Sequence, residues 1–210
     1  MKSLKESLFD SKTQMTESLF DTDLISKDIT YHPKTKDELI KCVKEQLDQQ
    51  GQDANLNIID VSKITDMSAL FKEMNIRNID ISEWDVSNVK DMNYMFWGCE
   101  FNSDLSKWDV SNVEDMHSMF DGCDKFNSDL SRWDVSNVKD MDYMFFRCEN
   151  FNSDLSRWDV SNVGNMYSMF YNCKKFNSDL SRWDVSKVED MSYMFFKCKS
   201  LKKIPSWYHD

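Results

Sequence analysis

Apolar and polar positions alternate along this chain in a pattern that returns to its start every 25 residues or so. Between Phe126 and Cys148 the apolar positions are Phe126, Leu130, Trp133, Val135, Val138, Met141, Phe145 and Cys148. The first half, with Trp133 and Val135 on one side, predicts an extended, bent segment. The second half sets Val138, Met141, Phe145 and Cys148 at i, i+3, i+7 and i+10, which is the spacing of one helical face. Asn137 reads as the N-cap of that helix, with Asp140 at N3 meeting its dipole.

The pattern is written five times. Trp84, Trp108, Trp133, Trp158 and Trp183 lie 24, 25, 25 and 25 residues apart, and each opens the phrase W-D-V-S-[NK]-V-x-[DN]-M-x-x-M-F-x-x-C. A degenerate sixth copy precedes them, from Ile59 through Asp66, Met67, Leu70 and Phe71 to Met74. One such unit cannot bury its own apolar face, but a stack can. The expected fold class is therefore α/β: a leucine-rich-repeat-like solenoid of about six 25-residue turns, each a strand plus a short helix.

Three regions follow from this reading: a flexible or docking tail over 1–30, a capping helix with its lead-in over 31–58, and a repeat solenoid over 59–210. In the second, Pro33 stops anything upstream, and Thr35 with Glu38 forms a Thr-x-x-Glu capping box. Ile40, Val43 and Leu47 follow at helical spacing, and Gly51 stands where a C′ glycine belongs. Such a helix covers the apolar end of the stack. At the far end Leu201 and Ile204 begin a seventh turn that Pro205 prevents from forming a full ladder.

A formal charge of −11 over 210 residues argues against a nucleic-acid partner, which needs clustered Lys and Arg. No apolar run reaches the roughly 20 residues of a membrane span, and the N-terminus has no apolar signal region. The expected locations are accordingly the cytoplasm, release from the cell, or carriage on a virus particle.

Repeat positions become ladders on stacking, with rungs about 5 Å apart. Cys99, Cys123, Cys148, Cys173 and Cys198 form one ladder, read as small residues inside the stack. The Trp ladder is placed on the core side. Asn102, Asn127, Asn152 and Asn177 are expected to hydrogen-bond along the stack. Asp104, Asp129, Asp154 and Asp179, and also Asp85, Asp109, Asp134, Asp159 and Asp184, form acidic ladders that must be solvated, hydrogen-bonded or compensated. Calcium between them is disfavoured, because the glycine-rich turns of calcium-binding repeats are missing. No cofactor or metal site is expected, and no nucleophile–base pair or phosphate loop appears, so no enzymatic activity is expected.

The phrase from Phe126 to Cys148 resembles the repeat of BspA-like leucine-rich-repeat surface proteins. More closely, it is similar to their W-D-V-S-x-V-x-D-M-x-x-M-F-x-x-C branch, a domain of unknown function. The resemblance covers about residues 33–205, including Thr35 to Leu39 and Ile59 to Met67. It implies a right-handed coil, a role in surface attachment or protein binding, and no catalytic residues. The opening Met1-Lys-Ser-Leu-Lys-Glu-Ser-Leu8 is similar to N-termini of gut tailed-bacteriophage proteins.

The expected function is a non-enzymatic protein-binding or attachment module whose partner is a host-surface or particle protein. The alternative is a structural or adhesion component of a bacteriophage particle, docked through its N-terminal tail. Candidate contacts are an outward aromatic stripe, Tyr94, Trp97, Tyr143, Phe146, Tyr171, Tyr193 and Phe196, interrupted where the third copy has Ser118 and Asp121. In the tail, the paired Ser-Leu-Phe-Asp elements supply Leu8, Phe9, Leu19 and Phe20 as anchors.

Overall fold

The computed structural model describes residues 30–209. The proposed tail contacts Leu8, Phe9, Leu19 and Phe20 lie outside the described residues. The capping helix forms as its sequence dictates: α1 spans Lys36–Gln50. Thr35 Oγ1 accepts from Glu38 N at 3.3 Å, and Glu38 reaches back to Lys34 N at 2.6 Å. Gly51, at a φ of 82°, donates its N–H to Leu47 O. The buried face is Leu39, Cys42, Val43 and Gln46, so it is centred beside the expected Ile40–Val43–Leu47 stripe, whose outer members are half-buried. α1 is tied to the first repeat by Lys36 Nζ, which meets Asp66 Oδ1 at 3.0 Å and also Ser68 Oγ.

The strand-plus-helix solenoid does not form. Among the described residues α1 is the one helix, and no sheet is built. Strand-like contact between repeats is reduced to single parallel bridges, Asp66 to Asp91, Asp91 to Asp115, Asp115 to Asp140, Asp140 to Asn165, and Asn165 to Asp190. The reason lies in where the backbone N–H groups go. From Met92 to Cys99 they divide by parity. The N–H groups of Met92, Tyr94, Phe96 and Gly98 donate to Asp115, His117, Met119 and Asp121 carbonyls of the next repeat, at 3.0, 2.9, 2.9 and 2.8 Å. Those of Met95, Trp97 and Cys99 close tight turns onto Met92, Tyr94 and Phe96. An α-helix needs every N–H for its i−4 carbonyl, so a segment that sends alternate donors to its neighbour cannot be one.

Two residues per repeat sit in the left-handed region to make these turns. The first site is Ala69, Tyr94, Ser118, Tyr143, Ser168 and Tyr193, with φ between 52° and 57°. The second is Glu73, Gly98, Gly122, Arg147, Asn172 and Lys197. A side chain there costs about 1–2 kcal/mol, which the repeat-to-repeat bonds and buried rings must offset. The apolar spacing misleads because a tight turn, like a helix, brings the chain back inward after three or four residues. Val138, Met141, Phe145 and Cys148 are all buried as the helical reading required, without a helix.

The expected N-cap is a second correction. Asn137 Nδ2 donates to Ser111 O of the previous repeat at 2.7 Å, as Asn88, Asn112 and Asn162 do to Ser62, Ser87 and Ser136. Asp140 Oδ1 accepts from Asp142 N two residues on. The extended half is broken in the same way. Asp129 accepts from Ser131 N and Asp134 from Ser136 N, while Trp133 N and Val138 N bond Leu130 O and Val135 O, so the chain turns corners instead of running as a strand.

The core is a column of like rings. Phe71, Phe96, Phe120, Phe145, Phe170 and Phe195 stack at 5.4–5.9 Å between centroids, and Phe101, Phe126, Phe151 and Phe176 form a parallel column. The repeat tryptophans Trp84, Trp108, Trp133, Trp158 and Trp183 lie inside, and each Nε1 donates to a carbonyl of the preceding repeat, Trp133 to Leu105 O at 3.0 Å for example. Trp207 continues this ladder by stacking on Trp183 at 6.3 Å, while Tyr208 packs edge-on against Phe195.

Candidate functional site

The ladders account for most of the repeated polar residues before any partner is considered. Asn127 N, Asn152 N and Asn177 N each bond the amide oxygen of the asparagine one repeat earlier at 2.8 Å, and Lys202 N bonds Asn177. Each Asp of the 104–179 ladder accepts from the serine N–H two residues on, which holds its carboxyl below the usual range. The shallow troughs on this face are lined by these same groups, Asn152, Asp154, Asn177 and Asp179 among them. The five repeat cysteines donate their S–H to a phenylalanine carbonyl of the preceding repeat, Cys148 to Phe120 O at 3.0 Å for example. Burial pushes their thiols up, Cys99 and Cys198 to about 12.

The aromatic face is what the ladders leave unexplained. Tyr94, Trp97, Tyr143, Phe146 and Tyr171 are half-buried, each leaning on a neighbour; Tyr193 and Phe196 are exposed, at 52% and 47%. Phe146 stacks on Tyr171 at 4.7 Å, and Tyr171 on Phe196 at 5.1 Å. Cations lie over these rings: Lys72 on Tyr94 and Trp97, Arg147 on Phe146, Lys197 on Tyr171 and Phe196.

The stripe is not interrupted at the third copy in the way the sequence suggested. His117 takes the place that Ser118 vacates, edge-on to Tyr94 at 4.6 Å and to Tyr143 at 6.2 Å. Tyr167 then bridges Tyr143 and Tyr193 at 5.1 and 5.9 Å. The ring therefore alternates between two adjacent positions, and where it takes the first, the second is a buried serine, Ser118 or Ser168. The signal was legible: Asn93-Tyr94, His117-Ser118, Asp142-Tyr143, Tyr167-Ser168 and Ser192-Tyr193 swap bulk at every copy. In the second row Asp121 replaces the ring and accepts from Trp97 Nε1 at 2.8 Å.

His117 also centres a small charged cluster. Its Nδ1 bonds Asp142, and its Nε2 lies 2.6 Å from Tyr94 Oη. With Asp140 and Asp142 it offers ligand atoms within 4.8 Å of one another, the one trio of metal-ligating type among the described residues. Burial opposes the charged imidazole, but the Asp142 carboxylate outweighs it and raises the His117 pKa. Burial, with the Asp142 and Asp115 carboxylates, raises Asp140 to about 6. A raised folded-state pKa means stability present at low pH and lost on titration, so Asp140 lowers stability as pH climbs from its ordinary value of 3.8 to about 6, and His117 does so only above the ordinary imidazole value of 6.5. Asn165 occupies the Asp140 position one repeat on and keeps the same turn bond, to Tyr167 N at 3.1 Å. Asp140→Asn is therefore expected to raise the melting temperature at pH 7.5 and to flatten its fall between about pH 4 and 6. Melting curves across that range that superimpose on those of the unmodified chain would refute this.

Comparison with known proteins bears on the whole repeat array. The family described as "Mycoplasma protein of unknown function, DUF285" matches over residues 41–135 and again over 98–208. Neither a curated protein nor a solved structure matches the chain. No helix among the described residues is long and apolar enough to cross a membrane.

Proposed function

The chain belongs to the DUF285 family, and from that membership we propose that it is a non-enzymatic protein-binding module of the BspA-like kind, presenting a rigid repeat surface to a protein partner. The observation that carries this reading is the continuous aromatic row from Tyr94 to Phe196. It is held in place by ring contacts and by the backbone bonds between repeats. Aromatic side chains fixed in this way lose little conformational freedom on binding, which suits them to be anchors. Non-enzymatic action is supported by the internal satisfaction of the repeated carboxylates, which serve as turn acceptors at two-residue spacing.

The test is a pull-down with the immobilised chain, followed by affinity measurement on the captured protein. Phe146→Ser with Phe196→Ser is expected to weaken that affinity by about tenfold or more, the range of an anchor pair. Phe196→Ser alone is expected to cost about 1 kcal/mol, because the ring is half exposed and loses its stacking on Tyr171 and its edge contact with Tyr193. Undiminished affinity in the folded double variant removes the row as the binding surface.

A further inference from the structure

The hydrogen-bond columns that join the repeats have a direction. Four of them run from the carbonyls of Asp66, Ser68, Leu70 and Lys72 to the N–H groups of Met191, Tyr193, Phe195 and Lys197, with every axial peptide in them pointing the same way. Among the described residues those last four N–H groups have no acceptor. One neighbouring column, from Thr65 to Glu189, runs in reverse and offsets them only in part. Peptide dipoles of about 3.5 D aligned in this way leave partial positive charge where the N–H groups emerge, as at a helix N-terminus.

The side chains around this edge share its sign. Lys187, Lys197, Lys199, Lys202 and Lys203 are exposed, against only Glu189 and Asp190 in the same stretch, in a chain whose formal charge is −11. The exposed large apolar side chains are here too: Tyr193, Phe196 and Ile204, at 52%, 47% and 59%. The opposite end differs in kind. Lys36 of α1 lies against the Asp66 and Ser68 side chains there, so a second copy stacked end to end would meet α1 at that end.

We infer that the Met191–Lys197 edge docks an extended acidic peptide segment of a partner protein. The partner's carbonyl or carboxylate oxygens accept from the four N–H groups, its acidic side chains pair with Lys199, Lys202 and Lys203, and its apolar side chains cover Tyr193 and Phe196. This rests on the protein-binding reading and adds the chemical class of the partner. A strand offering equal numbers of donors and acceptors fits the edge less well than one rich in carboxylates, because this edge is predominantly a donor.

The probe is a fluorescein-labelled peptide of sequence Glu-Leu-Glu-Phe-Glu-Leu-Glu, titrated into the full chain and followed by anisotropy, with amide signals followed by NMR. Saturable binding is expected, with the Gln counterpart weaker by about tenfold or more. Joint Lys199→Glu, Lys202→Glu and Lys203→Glu weakens it to a similar degree, whereas Lys41→Glu with Lys44→Glu on α1 leaves it within about twofold. The amides of Met191, Tyr193, Phe195 and Lys197 should shift and exchange more slowly with solvent. Four unmoved amides, equal loss in the α1 variant, or tighter binding of an oligonucleotide or anionic vesicle each overturn the inference. Peptide binding that survives Phe146→Ser, beside partner capture that does not need the aromatic row, would sink the row and spare the edge; capture through the row without peptide binding would do the reverse.

Discussion

Deletion of Ser118 is expected to unfold the repeats around it, whereas deletion of Lys125, seven residues on, leaves them folded. In the third copy the N–H groups of Met116, Ser118, Phe120 and Gly122 donate to the next repeat, and those of Met119, Asp121 and Cys123 close turns. Loss of one residue inside this run exchanges the two roles for everything after it. The three bonds donated by Ser118, Phe120 and Gly122 are then lost, with the two that Met119 O and Asp121 O accept from Phe96 and Gly98, together worth about 5 kcal/mol at roughly 1 kcal/mol each, and Phe120 leaves the ring column. Lys125 lies outside the run. The first full copy already lacks a residue there, having only Glu100 between Cys99 and Phe101 where the next has Asp124 and Lys125. Its deletion should cost about 1 kcal/mol or less, as surface-loop changes do. Chemical denaturation of the two variants decides the matter. Comparable loss of stability in both would mean that the alternating donors do not hold the stack together.

Phe145→Ala is the other large effect, at about 3–5 kcal/mol. The ring is fully buried, stacked on Phe120 and Phe170 at 5.7 and 5.6 Å and on Phe151 at 4.0 Å. The backbone on either side is fixed by bonds to both adjacent repeats, so the cavity has little means of collapse. Phe195→Ala should cost less, roughly 1–2 kcal/mol, because that ring has one Phe neighbour in its column and its remaining ring contacts are to Trp207 and Tyr208. Equal losses at the two sites would show that a ring's place in the column does not matter, and that burial alone sets its contribution.

Much of the molecule could be read before its structure. Thr35, Glu38 and Gly51 announce α1 because capping chemistry is local. The buried positions of each copy, the tryptophans on the core side and the asparagine bonds along the stack follow from repetition. A residue that recurs every 25 positions meets its own kind above and below. The conformation of the Met-x-x-Met-Phe run could not be read in this way. Left-handed residues are usually betrayed by glycine or asparagine, and here only Gly98, Gly122 and Asn172 give that sign, while Tyr94, Tyr143 and Arg147 conceal it. The candidate surface was half legible. Its rings were named, and the swap of bulk at His117 and Tyr167 stood in the sequence, yet that these two rings reach across to Tyr94, Tyr143 and Tyr193 needed the neighbouring repeats in place.

The sequence by itself determined the period, the identity of the inward side chains, the helical cap and the ladders, because each depends on spacing along one chain. Only the tertiary structure decided whether the second half of each copy would wind into a helix or fold as tight turns. Both bury the same side chains. They differ in whether an N–H finds its acceptor within its own copy or in the next one, and that acceptor exists only once the next copy is stacked.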